Sequence, residues 1–133
     1  MPRAVVGFGA ALTGGRLLAK PRRAPTPCGR DEADRRLILA LAAAWSGLHV
    51  EALAGGARGD AHLSRARHLA CYLGHVGLGL SRARVARLVG RDRSSVSYAC
   101  ARIEAERDEP DFDRAVGVLE TAAQFATWRG DPA

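Results

Sequence analysis

The sequence predicts an all-α domain, and three observations carry the prediction. Hydrophobic residues make up 47% of the 133-residue chain while only 5% are aromatic, and Ala and Gly are abundant. No long alternation of Val, Ile or Thr runs through it, so its apolar surface is suited to packing helix on helix. The length fits one domain with a modest core. The expected architecture is a helical bundle containing a helix-turn-helix over residues 31–128, preceded by a flexible basic arm (1–30) and followed by a short tail (129–133).

The arm is expected because Pro2, Pro21, Pro25 and Pro27, with Gly7, Gly9, Gly14, Gly15 and Gly29, obstruct any stable element there. The pattern changes at Asp31. "DEADRRLILALAAAWSGLHVEAL" opens with acids suited to a helix N-terminus and continues with Leu37, Leu41, Ala44, Trp45 and Leu48 at helical spacing. Ser46-Gly47 is the point at which it can divide in two.

"AGGARGDA" (54–61) reads as a loop. "LSRARHLACYLGHVGLG" is a second amphipathic helix through Leu63, Ala66, Leu69, Ala70, Leu73 and Val76, with Ser64 as its N-cap. "LSRARVARLVG" is a short third helix ended by Gly90. "SSVSYACARIEAERDE" is the fourth, with Val96, Ala99, Cys100 and Ile103 as its buried stripe. The last starts at Pro110 and Asp111 and buries Phe112, Val116, Leu119 and Ala123.

Charge is distributed unevenly. The formal net charge is +6, and of the 20 basic residues only Lys20 is a lysine. Residues 1–30 hold six basic residues and no acid, which equals the whole excess. Within the balanced remainder, 58–107 carries ten Arg against four acids, whereas 108–133 carries two Arg against six acids. Arg suits phosphate and guanine because its planar fork donates two parallel hydrogen bonds. GC-rich codon usage also enriches Arg, Ala and Gly, so the positions of the arginines count for more than their number.

Cys28, Cys71 and Cys100 are odd in number and widely spaced, which points to a reducing interior rather than a disulfide framework. His68, Cys71 and His75 share a helix face, but no second cluster completes a four-ligand metal site, and none is expected. "MPRAVVGFGAALTGG" has a short apolar run without a convincing cleavage site, and no stretch reaches the roughly 20 apolar residues of a membrane span. The expected location is the cytoplasm, associated with the nucleoid. Ser, His and Asp are present without the arrangement of nucleophile, base and orienting group, so no enzyme activity is expected.

The most informative stretch is "GRDRSSVSYAC" (90–100). A helix-turn-helix needs a small residue at the helix crossing, a residue tolerant of positive φ in the turn, and a β-branched anchor on the second helix. Ala86, Gly90 and Val96 stand at that spacing, with Val85, Val89 and Ala99 in the remaining apolar positions. Arg91, Arg93, Ser94, Ser97, Tyr98 and Arg102 fall off the apolar stripe, where an outward face can meet base edges and phosphates. Arg84, on the first helix of the pair, adds a further basic candidate.

These residues carry a resemblance. "SRARHLACYL", "GRDRSSVSYACARIE" and "EPDF" resemble the C-terminal DNA-binding domain of the bacterial replication initiator DnaA, whose signature runs Gly-Arg-Asp-His-Thr-Thr-Val-x-His-Ala-Cys. The resemblance covers roughly residues 35–120. It implies that Arg67 enters the minor groove, that Arg91, Asp92, Arg93, Ser94 and Ser95 lie on the major groove, that Tyr98 sits near phosphates, and that Arg58 belongs to a basic loop. Arg93 stands where the family has His, and Ser94 and Ser95 where it has Thr. The turn before Arg91 is one residue shorter.

No G-x-x-x-x-G-K-[ST] occurs in the chain, so the resemblance implies a DNA reader without the ATPase module, with no nucleotide and no cofactor. The class it resembles is that of stand-alone initiator-like activators of some alphaproteobacteria, including those that switch on gene transfer agent genes. The expected function is sequence-specific binding of double-stranded DNA in transcription regulation. RNA polymerase or a co-activator is the expected protein partner, touched by the acidic segment 104–120. The alternatives are a replication-control protein competing for the initiator's boxes and a non-specific architectural binder.

Overall fold

The structure, a computed structural model, describes residues 25–56 and 59–127. Six α-helices follow one another: α1 Pro25–Ser46, α2 Val50–Ala54, α3 Ala61–Tyr72, α4 Arg82–Val89, α5 Arg93–Glu106 and α6 Pro110–Thr127. The all-α expectation holds, and among the described residues there is no strand. The chain divides into two units after Asp31. In the first, residues 25–31 are helical; the second, Glu32–Ala133, holds the other helices and the core.

The first difference from the sequence reading is where α1 starts. It begins at Pro25, six residues before Asp31, so Pro25 and Pro27 lie in its first turn. Proline is tolerated there because the first-turn N–H groups have no intrahelical partner to lose. Residues 1–24 of the expected arm, and the tail from 128, lie outside the described residues.

The second difference is which face of α1 is buried. Ile38, Leu39, Ala42 and Ala43 are buried, whereas Leu37, Leu41 and Trp45 are half-buried and Ala44 is exposed. Residues 37–45 are apolar all round the helix, so spacing alone does not choose a side. Asp34, only 5% exposed, shows what does: its Oδ2 accepts from Nη2 of Arg84 at 3.2 Å, and the next turns of that face are Ile38 and Ala42. Arg35 adds a second tie, its Nε donating to the carbonyl of Leu88 at 3.2 Å.

Ser46 ends α1 and Gly47, at φ 78°, turns the chain into α2, as the Ser-Gly pair suggested. The N-cap of α3 is Asp60 rather than Ser64, its Oδ1 accepting from the N–H of Leu63 at 2.9 Å. After Tyr72 the helix widens into one π-helical turn, Leu73–Gly77, before α4. Gly74 sits at the close approach there, since a Cβ on it would lie 3.1 Å from Val85 Cγ2 and 3.4 Å from Ile38 Cδ1.

Helix α3 packs chiefly on α5, α4 on α5, α2 on α3, and α6 on the π-helical turn. Ile38, Leu69, Leu73, Val85, Val96 and Ile103 are fully buried at the centre. Helix α5 buries the stripe read from its sequence, Val96, Ala99, Cys100 and Ile103, and α6 buries Phe112, Val116 and Ala123 with Leu119 half-buried. Arg107 joins the two, with Nε on Asp113 Oδ1 at 2.5 Å and Nη1 on both Glu120 (3.0 Å) and the Tyr72 hydroxyl (2.9 Å).

Candidate nucleic-acid interface

The candidate interface is set by one turn. Gly90, at φ 72° and ψ 35°, takes the left-handed conformation after α4, and its N–H and that of Arg91 both donate to the carbonyl of Ala86. Ala86 is 6% exposed and Val96 fully buried, so the small crossing residue, the turn and the anchor of a helix-turn-helix occupy the positions the spacing assigned.

Asp92 then caps α5. Its Oδ1 accepts from the N–H of Ser95 at 2.8 Å and from the hydroxyl of Ser94 at 2.9 Å. The Ser95 amide, followed by the Ser94 hydroxyl, holds its carboxyl below the usual carboxylate range. Asp92 therefore spends one carboxylate oxygen on its own helix, a use the base-reading expectation had not included.

Arg91, Arg93 and Ser94 are exposed around this first turn, where backbone N–H groups and the positive end of the helix dipole favour an anion. Ser95 and Ser97 are half-buried. One turn on, Tyr98 is 58% exposed and stands edge-on to the ring of His68, centroids 5.7 Å apart. Burial, then Arg102 and Arg91, lowers the pKa of His68, which favours the neutral ring. Arg102 is exposed and lies 3.8 Å from Glu106.

Two of the expected contact residues are bonded within the protein. Arg67 is folded onto the C-terminus of α2, with Nε on the carbonyl of Leu53 (3.2 Å) and Nη2 on those of Ala52 (2.9 Å) and Gly55 (2.7 Å). Those carbonyls form the negative end of the short helix. Arg84 faces Asp34 in the half-buried pair described above. Arg58 lies outside the described residues.

A cleft of about 330 Å³ opens between α2, α3 and the start of α5. Arg67, His68, Arg91, Ser95 and Tyr98 stand on its wall, and Leu39, Leu53 and Cys71 lie among its apolar lining. Burial pushes the Cys71 thiol up to about 12 and that of Cys100 to about 11, so both are unreactive thiols in this fold. The His68, Cys71 and His75 trio does not converge: His75 Nδ1 bonds the carbonyl of Leu80 at 2.7 Å while His68 meets Tyr98. Among the described residues no group of three or more His, Cys, Asp or Glu could hold a metal ion, and no helix is long and apolar enough to cross a membrane.

This architecture is similar to the crystal structure of a DNA replication initiation factor. The TM-score is 0.64 with 28% sequence identity, over 77% of this chain and 32% of that one. The chain thus spans about a third of that structure's length. No family model and no curated protein matches the chain. The initiation-factor-like fold is the one that the "GRDRSSVSYAC" resemblance implied.

Within that fold, sequence reasoning placed Arg91, Arg93, Ser94 and Tyr98 on one exposed face and missed the internal work of Asp92, Arg67 and Arg84. Asp92 alone gave a sign: Asp three residues before Ser95 is an N-cap spacing. The partners of Arg67 are backbone carbonyls 12–15 residues upstream, and no side-chain pattern marks them.

Proposed function

We propose that this chain binds double-stranded DNA in a sequence-specific manner, laying the start of α5 in the major groove, and that it regulates transcription. One observation carries the reading: a helix-turn-helix in an initiation-factor-like fold exposes Arg91, Arg93 and Ser94 around the capped N-terminus of its second helix. Guanidinium forks there suit guanine O6 and N7, and Ser94 suits a phosphate or a base edge. Arg91 stands in the turn ahead of the reading helix and Arg93 is the first residue of that helix. Asp92 holds the helix start in place. Arg102 and Tyr98 follow the groove wall.

Selection of bound duplexes from a randomised pool, followed by mobility shift on the enriched sequence, tests this. A single motif bound well above random duplex is the expected result, and a pool with no enriched motif removes the sequence-specific reading. Mapping of bound sites in cells then separates promoters, which the regulatory reading expects, from origins.

The likeness to a replication initiation factor favours a second reading, replication control by occupation of the initiator's own boxes. The selected motif decides, because the two readings differ in whether it matches those boxes. Arg93, Ser94 and Ser95 in place of the family's His and two Thr support a different motif, since a threonine methyl that can touch thymine is gone. For the regulatory reading the acidic stretch 104–120 supplies the surface for RNA polymerase or a co-activator.

A further inference from the structure

We infer that the cleft between α2, α3 and the start of α5 is a binding site for a small organic anion with an apolar body, such as an aromatic or branched carboxylate, and that its occupation excludes DNA. The exclusion rests on the DNA-binding reading above; the binding does not.

The cleft, about 330 Å³, is of the size that small ligands occupy. Its deep lining is apolar: Leu39, Leu53 and Cys71 are each no more than 6% exposed, and Ala70 and Ala99 are 1% exposed. The outer wall carries two guanidiniums, Arg67 and Arg91, and among the described residues no acid lines the cleft. Arg91 acts electrostatically on Arg67, on His68 and on the Cys71 thiol, so the interior feels its charge. Burial favours the neutral form of His68 at the same wall.

This combination selects for a particular chemistry. A hydrated anion such as phosphate has nothing to place on Leu39 and Leu53, and a neutral apolar molecule gains nothing from the Arg91 guanidinium at the wall. An anion on an apolar ring or branched chain satisfies both, with the hydroxyls of Ser95 and Tyr98 available to orient it. Arg91, Ser95 and Tyr98 are also at the proposed reading face. Ligand and duplex then compete for the same side chains, and each must weaken the other by the same factor.

The probe is 1-anilinonaphthalene-8-sulfonate, an aromatic sulfonate whose fluorescence rises in apolar surroundings, titrated into the full chain. A Cβ on Gly56, which lines the cleft, would meet nothing within 4 Å, so Gly56→Phe adds an aromatic side chain to the lining with room for its first carbon. The expected results are saturable binding of one dye per chain, displacement by the selected duplex, and about a tenfold or greater loss of dye affinity in Gly56→Phe. Inorganic phosphate is expected to displace little dye.

Dye binding unchanged in Gly56→Phe, or no saturable binding, overturns the site. Displacement by phosphate as effective as by an aromatic carboxylate reduces the cleft to a seat for a bare phosphate and overturns the ligand class. Dye and duplex bound together without mutual effect overturn the exclusion. Dye binding that obeys the first two tests in a chain that binds no duplex removes the functional reading while the site stands.

Discussion

At the scale of single residues, the start of α5 separates exposed side chains, to which the proposed function gives base reading, from one bonded within the protein. Arg91→Ala and Arg93→Ala are each expected to lose about 1–3 kcal/mol of binding on the selected duplex and much less on random duplex, as measured by mobility-shift titration with a competitor. Asp92 behaves differently because its carboxylate is bonded within the protein. Its pKa is lowered in the folded chain, so its contribution to stability is present above the unfolded carboxylate value of about 3.9 and is lost as pH falls through the lower folded value. Urea midpoints measured from neutral pH down to strongly acid pH are expected to fall less steeply with acid in Asp92→Asn than in the parent. Asp92→Ala is expected to lower the midpoint at neutral pH, because alanine cannot cap. The resemblance pointed to these positions without the capping bonds of Asp92. A motif records which residue stands where, whereas the choice between reading a base and capping a helix depends on a 2.8 Å bond to Ser95 that forms only once α5 exists.

At the scale of elements, Gly90 turns the chain from α4 toward α5 and the Asp34–Arg84 pair ties α1 to α4. Gly90→Ala is expected to destabilise by about 1 kcal/mol, measured by chemical denaturation, since alanine must adopt the left-handed conformation. Asp34→Ala is expected to lose about 2 kcal/mol, because Arg84 keeps its partly buried charge without that partner. The helices themselves were legible: Gly90 ended α4, Pro110 began α6, and the stripe of α5 was read residue for residue. The rotation of α1 was not, because an all-apolar stretch has no moment to follow and Asp34 finds Arg84 fifty residues away. The N-cap of α3 went to Asp60, as suitable a capping residue as Ser64 and one helical turn earlier. Arg107 was equally hidden, since Tyr72, Asp113 and Glu120 reach it from two other helices.

At the scale of the whole molecule, charge is segregated along the chain, from the basic first 30 residues to the acidic stretch after 108. Removal of residues 1–24, which carry five of the basic residues, is expected to flatten the dependence of duplex affinity on salt concentration while leaving the selected motif unchanged. Titration at several salt concentrations, compared with the full chain, checks this. A change in the motif itself would assign base reading to the arm. The acidic stretch begins near the far end of α5, and a helix of 14 residues is about 21 Å long. One length of α5 thus separates the start that would meet DNA from the end available to a protein partner.

The π-helical turn Leu73–Gly77 bears on how the chain can change in length. It accommodates one residue more than regular α-helix would, immediately ahead of the two helices of the reading motif. Loss of a single codon there would restore ordinary winding while leaving the helices downstream at nearly the same angle, because a π-turn and an α-turn bring the chain round equally with one residue between them. This segment is therefore a place where the chain can lose a residue without re-aiming α4 and α5.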